Sequence, residues 1–193
     1  MAKKESNFKN MVLTLFIVTL VASTSLAVVY EVTKEPIRLA AIERKNNAIR
    51  EVVPDFDNQP NEEEYTVEVN GEELVFYPAK MGDELVGVAI ETFTRQGYSG
   101  TIELMVGLLP DGTIHGIEVL RHAETPGLGD KIETDKSDFY KQFVGRNPAD
   151  FNMKVRQDNG DIDAITASTI TSRAYCEAVQ LAYDVFIEKK DKK

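Results

Sequence analysis

Residues 65–77 read YTVEVNGEELVFY, with arms of alternating apolar and polar side chains on either side of Asn70-Gly71. That dipeptide favours a two-residue hairpin turn, because both turn positions need a positive φ that Asn and Gly adopt at least cost. The arms therefore predict two antiparallel strands. Outward from them the period of two persists, and residues 85–93 form a third strand candidate. TIELMVGLLPDGTIHGIEVL, residues 101–120, holds two more around the Pro110-Asp111-Gly112 turn. Strands joined this closely form an antiparallel sheet, since a parallel pair needs a longer crossover.

Beyond Asp135 the pattern turns helical through Phe139, Tyr140 and Phe143. A short strand at Met153 to Arg156 then precedes a turn at Asp158 to Asp161. A last helix is expected from about Ser172 to Glu188, where Ala174, Ala178, Leu181 and Val185 make one apolar stripe. Lys189, Lys190, Lys192 and Lys193 follow it, where positive charge suits the helix dipole. Strands with segregated helices imply an α+β domain.

Upstream of the sheet the chain changes character. Residues 11–30, MVLTLFIVTLVASTSLAVVY, carry no charge, and about 20 such residues cross a bilayer core. Lys3, Lys4 and Lys9 before them, against Lys34 and Arg38 after, orient the N-terminus to the cytoplasm. Ser25-Leu26-Ala27 also resembles a cleavage site, so a removed signal peptide is the competing reading. Because the apolar run continues through Val28, Val29 and Tyr30, an uncleaved anchor is preferred. Either way the remaining residues lie outside the cytoplasm. Leu39, Ile42, Ile49 and Val52 recur at helical spacing from Pro36 to Val53, and the acidic stretch 54–64 reads as a loop. The expected divisions are a cytoplasmic N-terminus at 1–10, a transmembrane helix at 11–30, a stalk helix and linker at 31–64, and an extracytoplasmic domain at 65–193.

Composition removes several functions. A net charge of -10 over 193 residues argues against nucleic acid, whose phosphates need clustered Lys and Arg. One cysteine, Cys176, excludes an internal disulfide and sites built from several thiolates; among apolar helical neighbours it reads as a buried structural thiol. With His115 and His122 alone, a three-histidine metal site is excluded. No nucleophilic triad, phosphate loop or dinucleotide fingerprint is visible, so no catalytic residue and no metal ligand is assigned.

Two constellations remain. In RHAETPGLGDKI, residues 121–132, Pro126, Gly127 and Gly129 make a loop whose backbone can approach a flat ligand, with Glu124 and Thr125 as polar contacts. A plain tight turn after a strand explains the same residues. In DAITASTITS, residues 163–172, five hydroxyls (Thr166, Ser168, Thr169, Thr171 and Ser172) lie just before the last helix. Its first N–H groups lack intrahelical partners and favour an anion such as phosphate. An N-cap by Thr171 or Ser172 is the plainer account.

Together these stretches, with GYSGTIELMVGLLPDGTI from Gly97, resemble the G subunit of Rnf-type electron transport complexes. That protein belongs to the wider FMN-binding domain family, which includes the C subunit of sodium-pumping quinone reductases. The resemblance covers nearly the whole chain. It implies FMN held covalently, one per chain, by a phosphodiester to the last threonine of Asp-x-x-Ser/Thr-Gly-Ala-Thr. Here the pattern falls on residues 163–169, so the link falls on Thr169, with Ala167 in place of glycine and Ser168 in place of alanine. Asp163 and Thr166 are implied as recognition and loop-shaping residues. Glu124, Thr125, Gly127, Leu128 and Gly129 are implied beside the flavin ring, and Ser168 beside the link. A flavin transferase using FAD and a divalent metal is the implied maturation partner. The implied role is an electron relay in the bacterial inner membrane, within a complex coupling ferredoxin and NAD to ion movement, whose other subunits are the partners. A quinone reductase or other extracytoplasmic electron-transfer system, and a non-redox membrane-anchored binding or scaffold module, are the alternatives.

Overall fold

The computed structural model describes residues 7–69 and 71–191. Lys3, Lys4, Asn70, Lys192 and Lys193, which enter the charge and turn arguments, lie outside the described residues. The chain divides into two compact units, Met1–Glu43 and Arg44–Lys193.

Helix α1 (Phe8–Val52) begins in the first unit. It contains a window of mean hydropathy 2.4, none of it buried, and is long and apolar enough to cross a membrane. The pattern predicts a separate stalk helix starting at Pro36, but α1 runs through Pro36 without a break. A prolyl nitrogen removes one helical hydrogen bond, which this long element tolerates. Leu39 and Ile42 of the expected apolar stripe stay exposed.

In the second unit the five strands form one meander, β1 (Tyr65–Val69), β2 (Glu72–Met81), β3 (Glu84–Gly97), β4 (Gly100–Leu108) and β5 (Ile114–Arg121), each antiparallel to the next. The first hairpin and the turn at Pro110-Asp111-Gly112 fall where the alternation predicts them. Because successive strand residues face opposite ways, the sheet buries both faces. Val88, Ile90, Ile102, Leu104, Val106 and Leu108 face the main core, while Ala89 and Met105 face a smaller one.

Helix α2 (Thr169–Asp191) covers the main face with Tyr175, Val179, Ala182 and Phe186 as well as Ala174, Ala178 and Val185 of the predicted stripe. Burying a Val- or Phe-sized side chain contributes about 1.5–3 kcal/mol, so this face alone is a substantial share of the domain's stability. The last turns of α1 cover the other face with Ala48, Ile49 and Val52. Gly107 and Gly116 permit this: a Cβ on Gly116 would lie 2.8 Å from Val52 Cα, and one on Gly107 would overlap the Val52 carbonyl.

Two expected elements are reduced. The helical pattern after Asp135 forms only the 3₁₀ turn Phe139–Gln142, whose Phe139 and the adjoining Phe143 pack edge-on or tilted against Tyr175. Gly145, with φ 75°, ends any continuation. The strand at Met153 to Arg156 shrinks to a single bridge, Val155 to Ile162, because the chain doubles back at Asn159 with φ 61°.

Candidate functional site

Helix α2 starts at Thr169, three residues before the expected Ser172. The Ser172 N–H donates to the Ser168 carbonyl at 3.0 Å. Thr169, Ile170 and Thr171 are therefore the first-turn residues, whose N–H groups have no intrahelical acceptor. Ser172 Oγ donates to that same carbonyl and accepts the Ile165 N–H at 2.9 Å, which folds the preceding loop back onto the helix. The Ser168 N–H closes a turn on the Ile165 carbonyl at 2.9 Å. Thr166 and Ala167 form its exposed tip, while Ser168 is buried and Thr169 partly exposed. Ala167 takes φ 62°, the left-handed conformation that glycine adopts freely.

Asp163 lies at the far end of this loop. Its backbone N–H and carbonyl both bond the Gln142 side chain, at 2.8 and 3.1 Å, and its carboxylate pairs with Arg156 at 3.1 Å. Those bonds shape the loop's entry and leave Asp163 exposed.

Thr171 does not cap the helix as the hydroxyl pattern suggests. It is buried in the first turn and donates its hydroxyl to Glu124 Oε2 at 2.6 Å. Glu124 Oε1 accepts the Ser99 N–H at 2.9 Å. One buried carboxylate thus ties together the β3–β4 turn, the ETPGLG loop and the start of α2. Hydrogen bonds to a charged group contribute about 1.5–3 kcal/mol each, so this junction outweighs an ordinary polar contact. Two glycines give it room. A Cβ on Gly97 would lie 2.8 Å from Glu124 Oε1; on Gly129 it would lie 2.5 Å from Glu124 Oε2 and 3.0 Å from Thr171 Oγ1.

His122 holds the loop from behind. Its Nδ1 accepts the Glu124 N–H at 3.0 Å, which assigns the ring proton to Nε2, and Nε2 bonds Glu133 Oε1 at 2.5 Å. Lys136 reaches Glu133 at 3.0 Å and Asp130 at 3.2 Å. Burial alone would raise the Glu133 carboxyl, but its bonds to His122 and Lys136 outweigh it and hold the group below its ordinary value. Above this scaffold Thr125, Pro126, Gly127 and Leu128 are exposed. The Leu128 N–H closes the loop on the Thr125 carbonyl at 3.1 Å, and Gly127 has φ 78° with open space where a side chain would project.

The two sequence constellations therefore meet, with Thr171 and Glu124 as the link. Thr169, Thr125, Gly127 and Leu128 reach solvent; Ser168, Glu124 and Gly129 lie beneath; Asp163 and Thr166 stay on the outer loop. Sequence reasoning misses Gly97, Ser99, His122 and Glu133. The GYSG spacing marks a tight hairpin there, but nothing local signals that its N–H meets a carboxylate 25 residues away.

A phosphoryl group on Thr169 fits these residues. A partly exposed threonine stands at the first position of a 23-residue helix, whose N-terminus stabilises an anion by about 0.3–1 kcal/mol. A groove of about 880 Å³ lies elsewhere along α2 and is lined by residues that include Arg95, Lys154, Arg173, Cys176 and Glu177. Its Arg173 and Arg95 are paired to Asp158 and Glu72, and burial pushes the Cys176 thiol up to about 12. That thiol is a packing group.

Residues 97–184 match the family of FMN-binding domains. Three similar proteins are each named as the G subunit of an ion-translocating oxidoreductase complex. The one from Shewanella piezotolerans is 36% identical over 199 residues, covering 98% of this chain and 93% of its own. That from Vibrio atlanticus is 40% identical over 173 residues, covering 83% and 82%. That from Erwinia tasmaniensis is 39% identical over 165 residues, covering 80% and 78%.

Proposed function

This chain belongs to the G subunits of ion-translocating oxidoreductase complexes, and on that premise we propose that it relays electrons through one FMN esterified to Thr169. The observation that carries the reading is the position of Thr169. It opens α2 as a partly exposed residue, two residues from the Thr171 hydroxyl that binds Glu124 of the ETPGLG loop.

When bound, FMN supplies the reversible electron transfer, and the polypeptide supplies position and tuning. Thr169 would provide the ester oxygen, and the first N–H groups of α2 would stabilise the remaining phosphate charge. Thr125, Gly127 and Leu128 offer a close wall with accessible backbone. Glu124, Ser168 and Gly129 act from beneath by fixing the loop against the helix. Thr166 and Asp163 display the loop that a flavin transferase reads, with FAD as donor and AMP released.

The chain is anchored through residues 11–30, with its N-terminus in the cytoplasm and Arg44–Lys193 on the opposite side. Its working partners are the other subunits of an Rnf-type complex, in which ferredoxin and NAD react elsewhere. Translocase activity belongs to that assembly and not to the isolated chain.

The test is intact-mass and peptide analysis of protein co-produced with a flavin transferase. The expected result is one FMN-sized addition on the peptide containing Thr169, lost in Thr169→Ala. Full covalent flavin in Thr169→Ala sinks the assignment. Purification from native membranes separates the complexes: co-purifying ferredoxin–NAD activity supports the Rnf assembly, and quinone reductase activity overturns it.

A further inference from the structure

The loop from Asp163 to Thr169 is anchored at both ends, and one anchor is a side chain from outside it. At the Thr169 end, Ser172 Oγ accepts the Ile165 N–H at 2.9 Å and donates to the Ser168 carbonyl at 3.0 Å. At the Asp163 end, the Gln142 carboxamide takes both backbone groups of one residue. Its Oε1 accepts the Asp163 N–H at 2.8 Å, and its Nε2 donates to the Asp163 carbonyl at 3.1 Å. Gln142 ends the 3₁₀ turn Phe139–Gln142, and the rings of Phe139 and Phe143 each lie 5.2 Å from the Tyr175 ring of α2. Both anchors therefore trace back to α2, the helix that begins at Thr169.

The Gln142 anchor does not rescue a buried polar group. Asp163 is exposed, and its carboxylate pairs with an equally exposed Arg156. Water would satisfy the Asp163 N–H and carbonyl, so bonds to Gln142 add little to global stability. What they change is the number of shapes open to residues 163–168, which belong to no helix or strand. Thr166 and Ala167 stay exposed between the anchors. The arrangement fixes a loop that displays itself to solvent.

Resting on the Thr169 reading above, we infer that Gln142 is a positioning residue for flavin transfer, ordering residues 163–168 before a transferase docks. It lies 21 residues upstream of Asp163 and outside the pattern at 163–169. In the transfer, Thr169 Oγ bonds the FMN phosphorus of FAD and the pyrophosphate P–O bond breaks. AMP leaves with the bridging oxygen, and the threonine proton passes to water. Gln142 bonds Asp163 and Phe139, not the reacting threonine. Its effect lies in the population of the competent loop. A partner that accepts one conformation binds with an apparent Kd divided by the fraction in that conformation, while the docked complex reacts at its own rate.

The experiment uses the full-length chain produced without a flavin transferase, held in detergent and then given transferase, FAD and magnesium. Initial rates of covalent transfer, read by intact mass, are measured against protein concentration for the parent, Gln142→Met, Gln142→Asn and Asn147→Ala. Methionine keeps the length and loses both bonds; asparagine keeps the amide but falls one methylene short. Asn147 is the control, because its amide also holds two backbone groups, the Asp111 carbonyl at 3.2 Å and the Ala149 N–H at 3.0 Å. In both Gln142 variants the KM for the protein should rise about tenfold, the weight of two lost hydrogen bonds, with kcat unchanged. Asn147→Ala should leave both constants at the parent values. Thermal unfolding reports folding, and a domain still more than about 99% folded presents the same substrate concentration, so lost stability alone does not move KM. Hydrogen exchange on peptides covering 163–168 should quicken several-fold in the Gln142 variants alone.

A parent that gains no flavin mass on Thr169 removes the link and the positioning role together. A parent that loads on Thr169 while the Gln142 variants match its kcat and KM overturns the positioning role and leaves the link standing. A fall in kcat at unchanged KM overturns it as well, since a loop ordered before docking acts on the encounter alone. An equal rise in KM for Asn147→Ala also overturns it, and reduces Gln142 to an ordinary structural contact.

Discussion

At the scale of single residues, the loop before α2 carries a measurable strain. Ala167 sits at φ 62° in a turn closed by the Ser168 N–H. A non-glycine residue there costs about 1–2 kcal/mol, whereas glycine costs about 0.4–1 kcal/mol through the greater freedom of the unfolded chain. The first effect is larger. Ala167→Gly should therefore stabilise the domain by about 0.5–1 kcal/mol and raise its midpoint by about 2 °C, read by thermal unfolding. A lower midpoint would mean that the turn is held open by contacts the alanine methyl makes. This strain gives a backbone reason for the glycine in the pattern that residues 163–169 resemble: the constraint is an angle. From the sequence the substitution reads only as one small residue for another. The pattern around Thr169 is legible in the sequence because it is local. The buried roles of Thr171 and Glu124 are not, because a hydrogen bond spanning 47 residues leaves no local trace.

Elements are legible where periodicity is long and obscure where it is short. Five strands and the final helix follow from alternation and an apolar stripe, signals that repeat several times before they end. The 3₁₀ turn Phe139–Gln142 and the single bridge at Val155 each span too few residues to separate one period from another. The docking of α1's last turns against the sheet rests on two glycines that alternation alone does not flag. Gly107 accepts no side chain, since a Cβ would overlap the Val52 carbonyl and main-chain atoms cannot swing aside as a side chain can. Gly107→Ala should destabilise the domain by about 3 kcal/mol, the upper part of the overpacking range. Urea unfolding should show a lower midpoint with an unchanged slope. An unchanged midpoint would show that the helix end can shift at little cost.

For the molecule as a whole, the folded unit extends back to Arg44, and Ala48, Ile49, Val52 and Val53 are part of its core. Ile49, Val52 and Val53 are each at most 3% exposed against the outer sheet face. Losing three such side chains at about 1.5–3 kcal/mol each approaches the whole stability of a domain, about 5–15 kcal/mol. A fragment beginning at Arg44 should be soluble with a cooperative thermal transition. One beginning at Tyr65 should aggregate or melt without cooperativity, and equal midpoints for the two fragments would refute this account. The Glu124 carboxylate has a different consequence, one of timing. It gathers the 97–100 turn, the 124–129 loop and the first turn of α2, and so cannot be satisfied until the last helix has docked. The surface formed by the ETPGLG loop and the start of α2 is then among the final parts of the domain to assemble. On the proposed Thr169 linkage, cofactor loading would report completed folding, and chains that stall before α2 docks would stay unloaded and be distinguishable by colour.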